Sequence, residues 1–246
     1  MKILIIGNET YLGKKLIESF STEHEVGSIN SLNFPFLPKE DNLFDLFICC
    51  SFIEPKNIKD LVGYAKCTGA KKFIYISSGR IYGNKTITPS HVESKPDFET
   101  EEDTFKKIIG EFYCEHYAKQ YKINYLIMRI FDIYGDDEEE SIIAQLKKSN
   151  TLDCLPSATR DFINISDVIR VFKHYLDGKG NFHTGCINVA TGVETSIIDL
   201  AEEMGKEVTF TGKDKIEFSR ADITDLNFMG IIPEIKVKEW IKNENV

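Results

Sequence analysis

The first thirteen residues constrain this chain most. Lys2-Ile3-Leu4-Ile5-Ile6 is an apolar run behind a single lysine, Gly7-Asn8-Glu9-Thr10-Tyr11-Leu12-Gly13 follows at once, and a segment with apolar residues at three- and four-residue steps comes next. An apolar run without alternation reads as a strand covered on both faces, as in a parallel sheet. A glycine directly after such a strand, with a helix opening immediately, is the turn that brings backbone N–H groups and a helix N-terminus up to a pyrophosphate. Gly7 and Gly13 hold the outer positions of Gly-x-x-Gly-x-x-Gly, and Thr10 stands where the middle glycine belongs. The pyrophosphate is expected on the amides around Tyr11 and Leu12, with the Thr10 side chain turned away or donating to a phosphate. On that reading Thr10→Gly keeps or tightens binding. A packing turn without a ligand is the other use of the same pattern.

Beyond this unit, short apolar runs alternate with longer periodic segments. The pattern predicts strands over 2–6, 25–29, 46–50, 73–77 and 125–130, with helices over 12–21, 58–68 and 104–120 between them. The expected fold class is α/β: a doubly wound parallel sheet of Rossmann type with a small C-terminal substrate lobe. Residues 1–135 are assigned to a dinucleotide-binding core. Residues 136–246 are assigned to a mixed region that completes the core and forms a reduced substrate lobe. There the acidic run 136–140 is expected to open a helix reaching 148, where negative charge suits a helix start. A strand over 162–165, a helix over 167–176, a strand over 186–189 and helices over 196–204 and 237–241 complete the expectation. Residues 85–102, with two prolines, are expected to form a ligand-side loop.

Charge and cysteine usage narrow the function classes. With 39 acidic against 30 basic residues the formal charge is −9, and the basic residues are dispersed, which argues against nucleic acid or an anionic membrane as the main partner. Four apolar residues before Gly7 fall short of a signal-peptide core or a membrane span of about 20 residues, so a soluble, cytoplasmic protein is expected. The six cysteines include no Cys-x-x-Cys pair and read as reduced thiols. His183 and Cys186 have a metal-like spacing without further ligands nearby, and a strand start is the expected use; no metal is expected.

A second motif, Phe73-Ile74-Tyr75-Ile76-Ser77-Ser78-Gly79-Arg80-Ile81-Tyr82-Gly83, ends a strand in two hydroxyls and a Tyr-Gly turn. Three later stretches recur with it: Arg129-Ile130-Phe131-Asp132-Ile133-Tyr134-Gly135, Arg160-Asp161-Phe162-Ile163-Asn164-Ile165-Ser166-Asp167-Val168, and Asn188-Val189-Ala190 followed by Thr195-Ser196-Ile197-Ile198-Asp199-Leu200. Together and in this order, they resemble the extended short-chain dehydrogenase/reductase family, also called the NAD-dependent epimerase/dehydratase family. The resemblance runs over nearly the whole chain.

The resemblance implies an NAD or NADP cofactor, a nucleotide sugar as substrate, and a serine with a Tyr-x-x-x-Lys pair for proton and hydride transfer. In that chemistry the Tyr is the acid/base, the Lys lowers its pKa and holds the nicotinamide ribose, and the Ser binds the reacting oxygen. By position Ser78 is the serine and Lys107 the lysine, but Asp103 stands at the tyrosine position. Asn30 replaces an acid that often binds the adenosine ribose. Asp132 replaces a substrate-binding Asn, while Tyr82 and Arg160 are retained on the substrate side and Lys213 is a candidate second phosphate clamp. For Arg160 the alternative is a surface arginine paired with Asp161 or Asp167, and for Lys107 an exposed helix lysine. Asp103 itself as a base, or Tyr82 or a water on Ser78, is a candidate for the acid/base role that the missing phenol leaves open, with Asp103 the least expected because the neighbouring Lys107 would lower its pKa. The resemblance also implies a homodimer through helices 58–68 and 104–120, with Ile108, Ile109, Phe112 and Tyr113 as candidate contacts, although facing the sheet is an equally good use for some of them. Two functions follow: a nucleotide-sugar epimerase, dehydratase or ketoreductase with a modified acid/base set, or a non-catalytic paralogue that binds nucleotide or a protein partner.

Overall fold

The N-terminal alternation folds in chain order as β1 (Lys2–Ile6), α1 (Tyr11–Phe20), β2 (Glu25–Ile29), β3 (Leu46–Cys49), α2 (Pro55–Cys67), β4 (Lys72–Ser78), α3 (Glu102–Tyr121) and β5 (Asn124–Ile130). These elements come from a computed structural model that describes residues 1–33, 43–84, 89–177 and 184–243. β1 pairs in parallel with β2 on one side and β3 on the other, with Ile3 opposite Val26 and Leu46, and β3 pairs in parallel with β4. The four apolar residues of β1 and all of β3 are buried, as unbroken apolar runs require.

Helix ends have local causes. Pro55 opens α2 with φ already set for a helix, so α2 begins three residues before the expected 58. Glu102 and Asp103 occupy the first turn of α3, where negative charge complements the helix dipole, and Lys122 closes it in the left-handed region at φ 57°. Ile58, Leu61, Val62 and Ala65 of α2 pack with Cys114 and Ala118 of α3 against Phe47, Phe73 and Tyr75 of the sheet. Each buried Ile, Leu or Phe there contributes about 1.5–3 kcal/mol relative to exposure.

The rest of the chain folds as β6 (Asp132–Tyr134), α4 (Ile142–Lys148), β7 (Thr151–Leu152), β8 (Thr159–Arg160), β9 (Phe162–Asn164), α5 (Ile165–Leu176), β10 (Gly185–Val189), β11 (Thr195–Ser196), α6 (Ile197–Glu203), β12 (Thr209–Phe210), α7 (Thr224–Phe228) and α8 (Val237–Asn243). The central sheet has the order β10-β5-β4-β3-β1-β2, and three two-stranded pieces pair β6 with β9, β8 with β11 and β7 with β12. The chain forms two compact units. One comprises Met1–Ile81, Phe98–Arg129 and Lys173–Ile187; the other comprises Tyr82–Asp97, Ile130–Phe172 and Asn188–Val246. In the second unit Ile143, Leu146, Leu152, Phe162, Ile197, Leu200 and Ile241 share a core with Tyr134.

One expectation is corrected here. The acidic run 136–140 does not open a helix: α4 starts at Ile142, capped by Ser141 Oγ, which accepts from Ala144 N at 3.1 Å. Asp137 sits at φ 61°, outside helical geometry, and the Glu138 carboxylate accepts from Glu140 N and Ser141 N at 2.8 Å each. The carboxylate satisfies the amides that a helix start would leave open, so the run is a turn ahead of the cap. Similarly, Ser196 is the cap of α6 and not its first residue. Residues 89–101 carry no helix or strand beyond a bridge of Ser90 to Ala221, and 85–88 lie outside the described residues, as does His183.

Candidate functional site

The strand order reverses at β1, which has β2 on one side and β3 on the other, and ligands of open α/β sheets bind outside the strand ends at such a switch point. Gly7 follows β1 there at φ 102°, and a Cβ on it would lie 2.7 Å from Ser51 N and Ser51 Cβ, beyond the end of β3. A Cβ on Gly13 would lie 2.0 Å from Gly7 O, so the turn closes only with glycine at both ends. Thr10 is the N-cap of α1: its hydroxyl donates to Gly7 O at 2.8 Å and accepts from Gly13 N at 3.0 Å. Of the two expectations for this hydroxyl, the geometry matches the one in which it turns away from a phosphate, because its proton is committed within the turn. Tyr11 and Leu12 are the first two residues of α1, at the helix end whose dipole suits an anion. Lys15 Nζ lies 5.9 Å from the centre of the Tyr11 ring, so the Tyr-x-x-x-Lys of this helix is a cation–π pair.

At the end of β2, Asn30 Oδ1 accepts from Leu32 N at 2.9 Å. Sequence reasoning missed the neighbour that matters. Glu9, inside the glycine turn, accepts from Ser31 N at 3.1 Å and from the Ser31 hydroxyl. Burial raises the Glu9 pKa, but the hydrogen bonds from Ser31 and Ser51 outweigh it and hold the carboxyl below its ordinary value. An acid between the glycines was the available signal.

Ser78 ends β4, and its Oγ accepts from Arg80 N at 3.2 Å, while the buried Ser77 Oγ has no hydrogen-bond partner among the described residues. Lys107 projects from α3, half-buried, and among the described residues it forms no ion pair. Burial lowers its pKa first, and the charge of Arg80 adds to this against Cys49, Asp103 and Glu111. Lys107 is thus not the exposed helix lysine of the alternative reading. Burial pushes the Cys49 thiol up to about 12, which leaves it a neutral thiol near that amine. Asp103 is exposed, in the first turn of α3, and its charge is felt by both Lys106 and Lys107. One helical turn beyond Lys107, Glu111 accepts from Arg129 Nη2 at 2.7 Å and Nε at 3.0 Å, a buried two-pronged pair that fixes α3 on β5.

The candidates in the second unit are held differently. Tyr82 is buried, stacks on Phe131 with ring centres 6.2 Å apart, and donates to Asn188 Oδ1 at 2.7 Å; Asn188 in turn donates to Ser90 O and Asp222 O. This bond engages the hydroxyl that would take the place of the missing phenol. Arg160 is 1% exposed, donates to Asp214 Oδ2 at 3.0 Å and to Thr159 O at 2.8 Å, and is not the surface arginine paired with Asp161 or Asp167. Asp161 instead accepts from Thr191 N, the Thr191 hydroxyl, Gly192 N and Ala221 N. Asp167 pairs with Arg170. Asp132 is partly exposed, and Lys213 is exposed beside Asp153 at 3.6 Å. Of the proposed dimer contacts Ile108 belongs to the core, whereas Phe112 and Tyr113 are 54% and 38% exposed. The cysteines are free thiols, and no cluster of three metal-ligating side chains exists among the described residues. No described helix is long and apolar enough to cross a membrane.

A parallel sheet reversing at β1, with a glycine turn and a helix N-terminus at the reversal, defines the Rossmann class of α/β proteins. Residues 56–190 match the NAD dependent epimerase/dehydratase family, and the chain belongs to that family. It is 28% identical over 200 residues to a protein of Methanocaldococcus jannaschii provisionally named UDP-glucose 4-epimerase, covering 71% of this chain and 64% of that one. It is 30% identical over 153 residues to the human dTDP-D-glucose 4,6-dehydratase, covering 58% of this chain and 42% of that one. The chain thus spans about half to two thirds of the length of these relatives. In fold it is similar to a mutant UDP-glucuronic acid 4-epimerase from Bacillus cereus, solved with a fluorinated UDP-sugar and NAD, with a TM-score of 0.83 at 20% identity over 99% of this chain and 100% of that one.

Proposed function

We propose that this protein binds a nicotinamide dinucleotide on the glycine turn and oxidises or reduces a hydroxyl-bearing carbon of a nucleotide-linked sugar. The observation that carries this reading is Lys107, a half-buried cation without an ion-pair partner among the described residues. Keeping such a charge desolvated is costly unless a polar ligand compensates it, and ribose hydroxyls do so in this family's chemistry. Gly7, Gly13, Tyr11 and Leu12 present the turn to a pyrophosphate. When bound, the cofactor supplies a hydride acceptor or donor. Ser78 Oγ accepts from Arg80 N, and its own proton is then available to donate to a sugar oxygen. With Asp103 in place of the phenol and Tyr82 committed to Asn188, the proton released on alcohol oxidation passes from that oxygen to solvent. The first unit carries the cofactor residues; in the second, Asp132 and Arg160 are the candidate substrate residues. A clamp role for Arg160 needs its guanidinium released from Asp214. Family precedent, free thiols and a dispersed basic charge support a cytoplasmic protein without a nucleic-acid partner. The exposed Phe112 and Tyr113 support a homodimer through α2 and α3, which light scattering at tens of micromolar tests.

A second reading is favoured by the exposed Asp103 and the sequestered Tyr82: a protein that binds the nucleotide without redox turnover. Exchange of labelled hydride between NADH or NADPH and a panel of nucleotide sugars separates the two. Activity in the wild type that falls in Ser78→Ala and Lys107→Ala supports the enzyme, and activity that emerges only in Asp103→Tyr supports a lapsed one. Nucleotide binding without exchange in any of these proteins supports the non-catalytic binder.

A further inference from the structure

The acid at the end of β2 comes from the glycine turn and not from the strand. Dinucleotide folds commonly keep a carboxylate just after the second strand, where it accepts from the adenosine ribose hydroxyls. In this chain that position is Asn30, and its side-chain oxygen closes a turn onto Leu32 N. Glu9 reaches the same strand end from the other direction. Its two oxygens are held by the backbone N–H and the hydroxyl of Ser31, the residue that follows Asn30, and the Ser51 side chain adds a further hydrogen bond.

The backbone under Glu9 is fixed as well. Gly7 N and Asn8 N both donate to Ile29 O, at 2.8 and 3.3 Å, and Asn8 Nδ2 donates to Ser28 Oγ at 3.2 Å. Thr10, on its other side, is tied to Gly7 and Gly13. Glu9 is therefore not a solvated side chain free to swing clear. Its partners are neutral donors, and among the described residues it forms no ion pair, so its negative charge stays uncompensated at the switch point. A carboxylate has room for about four hydrogen bonds, which leaves acceptor capacity beyond the serines.

We propose that Glu9 selects the cofactor: its carboxylate takes the place of the missing acid at position 30, accepts from the 2′-hydroxyl of the adenosine ribose, and rejects a 2′-phosphate. The chain is then specific for NAD over NADP. A 2′-phosphate brings nearly two further negative charges to a site that already holds one and, among the described residues, pairs it with no cation, and like charges in a partly desolvated site repel strongly. The proposal rests on the reading of the glycine turn as a dinucleotide cradle.

Calorimetric titration with NADH, NADPH, ADP-ribose and 2′-phospho-ADP-ribose tests it without requiring turnover. The wild type is expected to bind the two ligands with a free 2′-hydroxyl at least about tenfold tighter than their 2′-phosphorylated counterparts. Glu9→Gln, which keeps the side chain's size, is expected to weaken the first pair about three- to tenfold, strengthen the second, and bring the ratio near one. Glu9→Asp, which retains the charge on a shorter arm, is expected to fall between them, and it serves if Glu9→Gln does not fold. Equal affinities in the wild type, or a ratio that survives Glu9→Gln or moves only in Asn30→Ala, would overturn the proposal while leaving the cradle intact. Absence of binding by every ligand to the wild type and to the variants would overturn the cradle and this proposal with it.

Discussion

Arg160, buried to 1% exposure, donates to Asp214 Oδ2 at 3.0 Å across 54 residues of sequence. Asp214 keeps 16% of its side chain exposed, so the two members are not equivalent. Removal of the acid strands a charge with no route to water, while removal of the arginine leaves an acid that can hydrate. Asp214→Asn is therefore expected to destabilise the chain by about 3 kcal/mol, and Arg160→Met by less. Urea unfolding of both variants checks the order; a larger loss in Arg160→Met would contradict it.

The cap on α1 makes a second prediction, and it replaces the sequence expectation for Thr10. Thr10→Ala frees Gly13 N and Gly7 O together and is expected to cost about 1 kcal/mol, with Thr10→Ser close to neutral. Thr10→Gly loses the same two bonds and is expected to bind nucleotide no better than the wild type. Gly13→Ala puts a methyl carbon 2.0 Å from Gly7 O and is expected to be the most damaging of the four. Circular-dichroism melts rank the set.

Lys107 offers a chemical readout. Its pKa lies below that of an ordinary lysine because burial and the Arg80 charge disfavour the ammonium form. At a given alkaline pH a larger fraction is thus the reactive free amine. From about pH 7 to about pH 9 a small acylating reagent is expected to modify Lys107 ahead of the exposed Lys213 and Lys236, as peptide mass spectrometry would show. Saturating NADH is expected to slow this one site selectively. Modification of Lys107 no faster than the exposed lysines would count against the shift.

Asp161 sets a pH dependence of stability. Burial raises its carboxyl to about 6 in the folded chain, against 3.8 for the unshifted group, despite its four hydrogen-bond donors. Between these values the folded chain holds a proton that the unfolded chain has released, so the stabilisation is complete below the unfolded pKa and is lost as pH rises through about 6. A difference of this size amounts to about 3 kcal/mol. Other carboxylates tilt the same window the opposite way. The test is therefore the stability of wild type minus that of Asp161→Asn, which is expected to fall as pH rises from about 4 to about 6.5 and then level off.

The parallel sheet was legible because each strand is a run of apolar residues long enough to bury both faces, and the helices between them carry their own periodicity. β1, β2 and the glycine turn fall where the sequence places them, and α2 and α3 differ only at ends set by Pro55 and by Glu102 with Asp103. The acidic run before α4 was misread because charge alone does not separate a helix's first turn from a turn that precedes its cap. β9 was expected as a strand over 162–165, but its partner β6 and the pairs β8 with β11 and β7 with β12 were not anticipated, since two or three residues carry no period.

The sequence by itself determined the sheet, the positions of Gly7, Gly13, Ser78 and Lys107, and the replacement of the expected phenol by Asp103. Those features are local: burial pattern, backbone freedom at glycine, and residue identity at a fixed step along a helix. Only the tertiary structure decided what the polar groups do. Glu9 meets Ser31 across 22 residues, Arg160 meets Asp214 across 54, and Tyr82 meets Asn188 across 106. A hydrogen bond has a reach of about 3 Å and needs alignment. Chain separation says nothing of which groups satisfy that condition, and closure of the fold alone brings them into range.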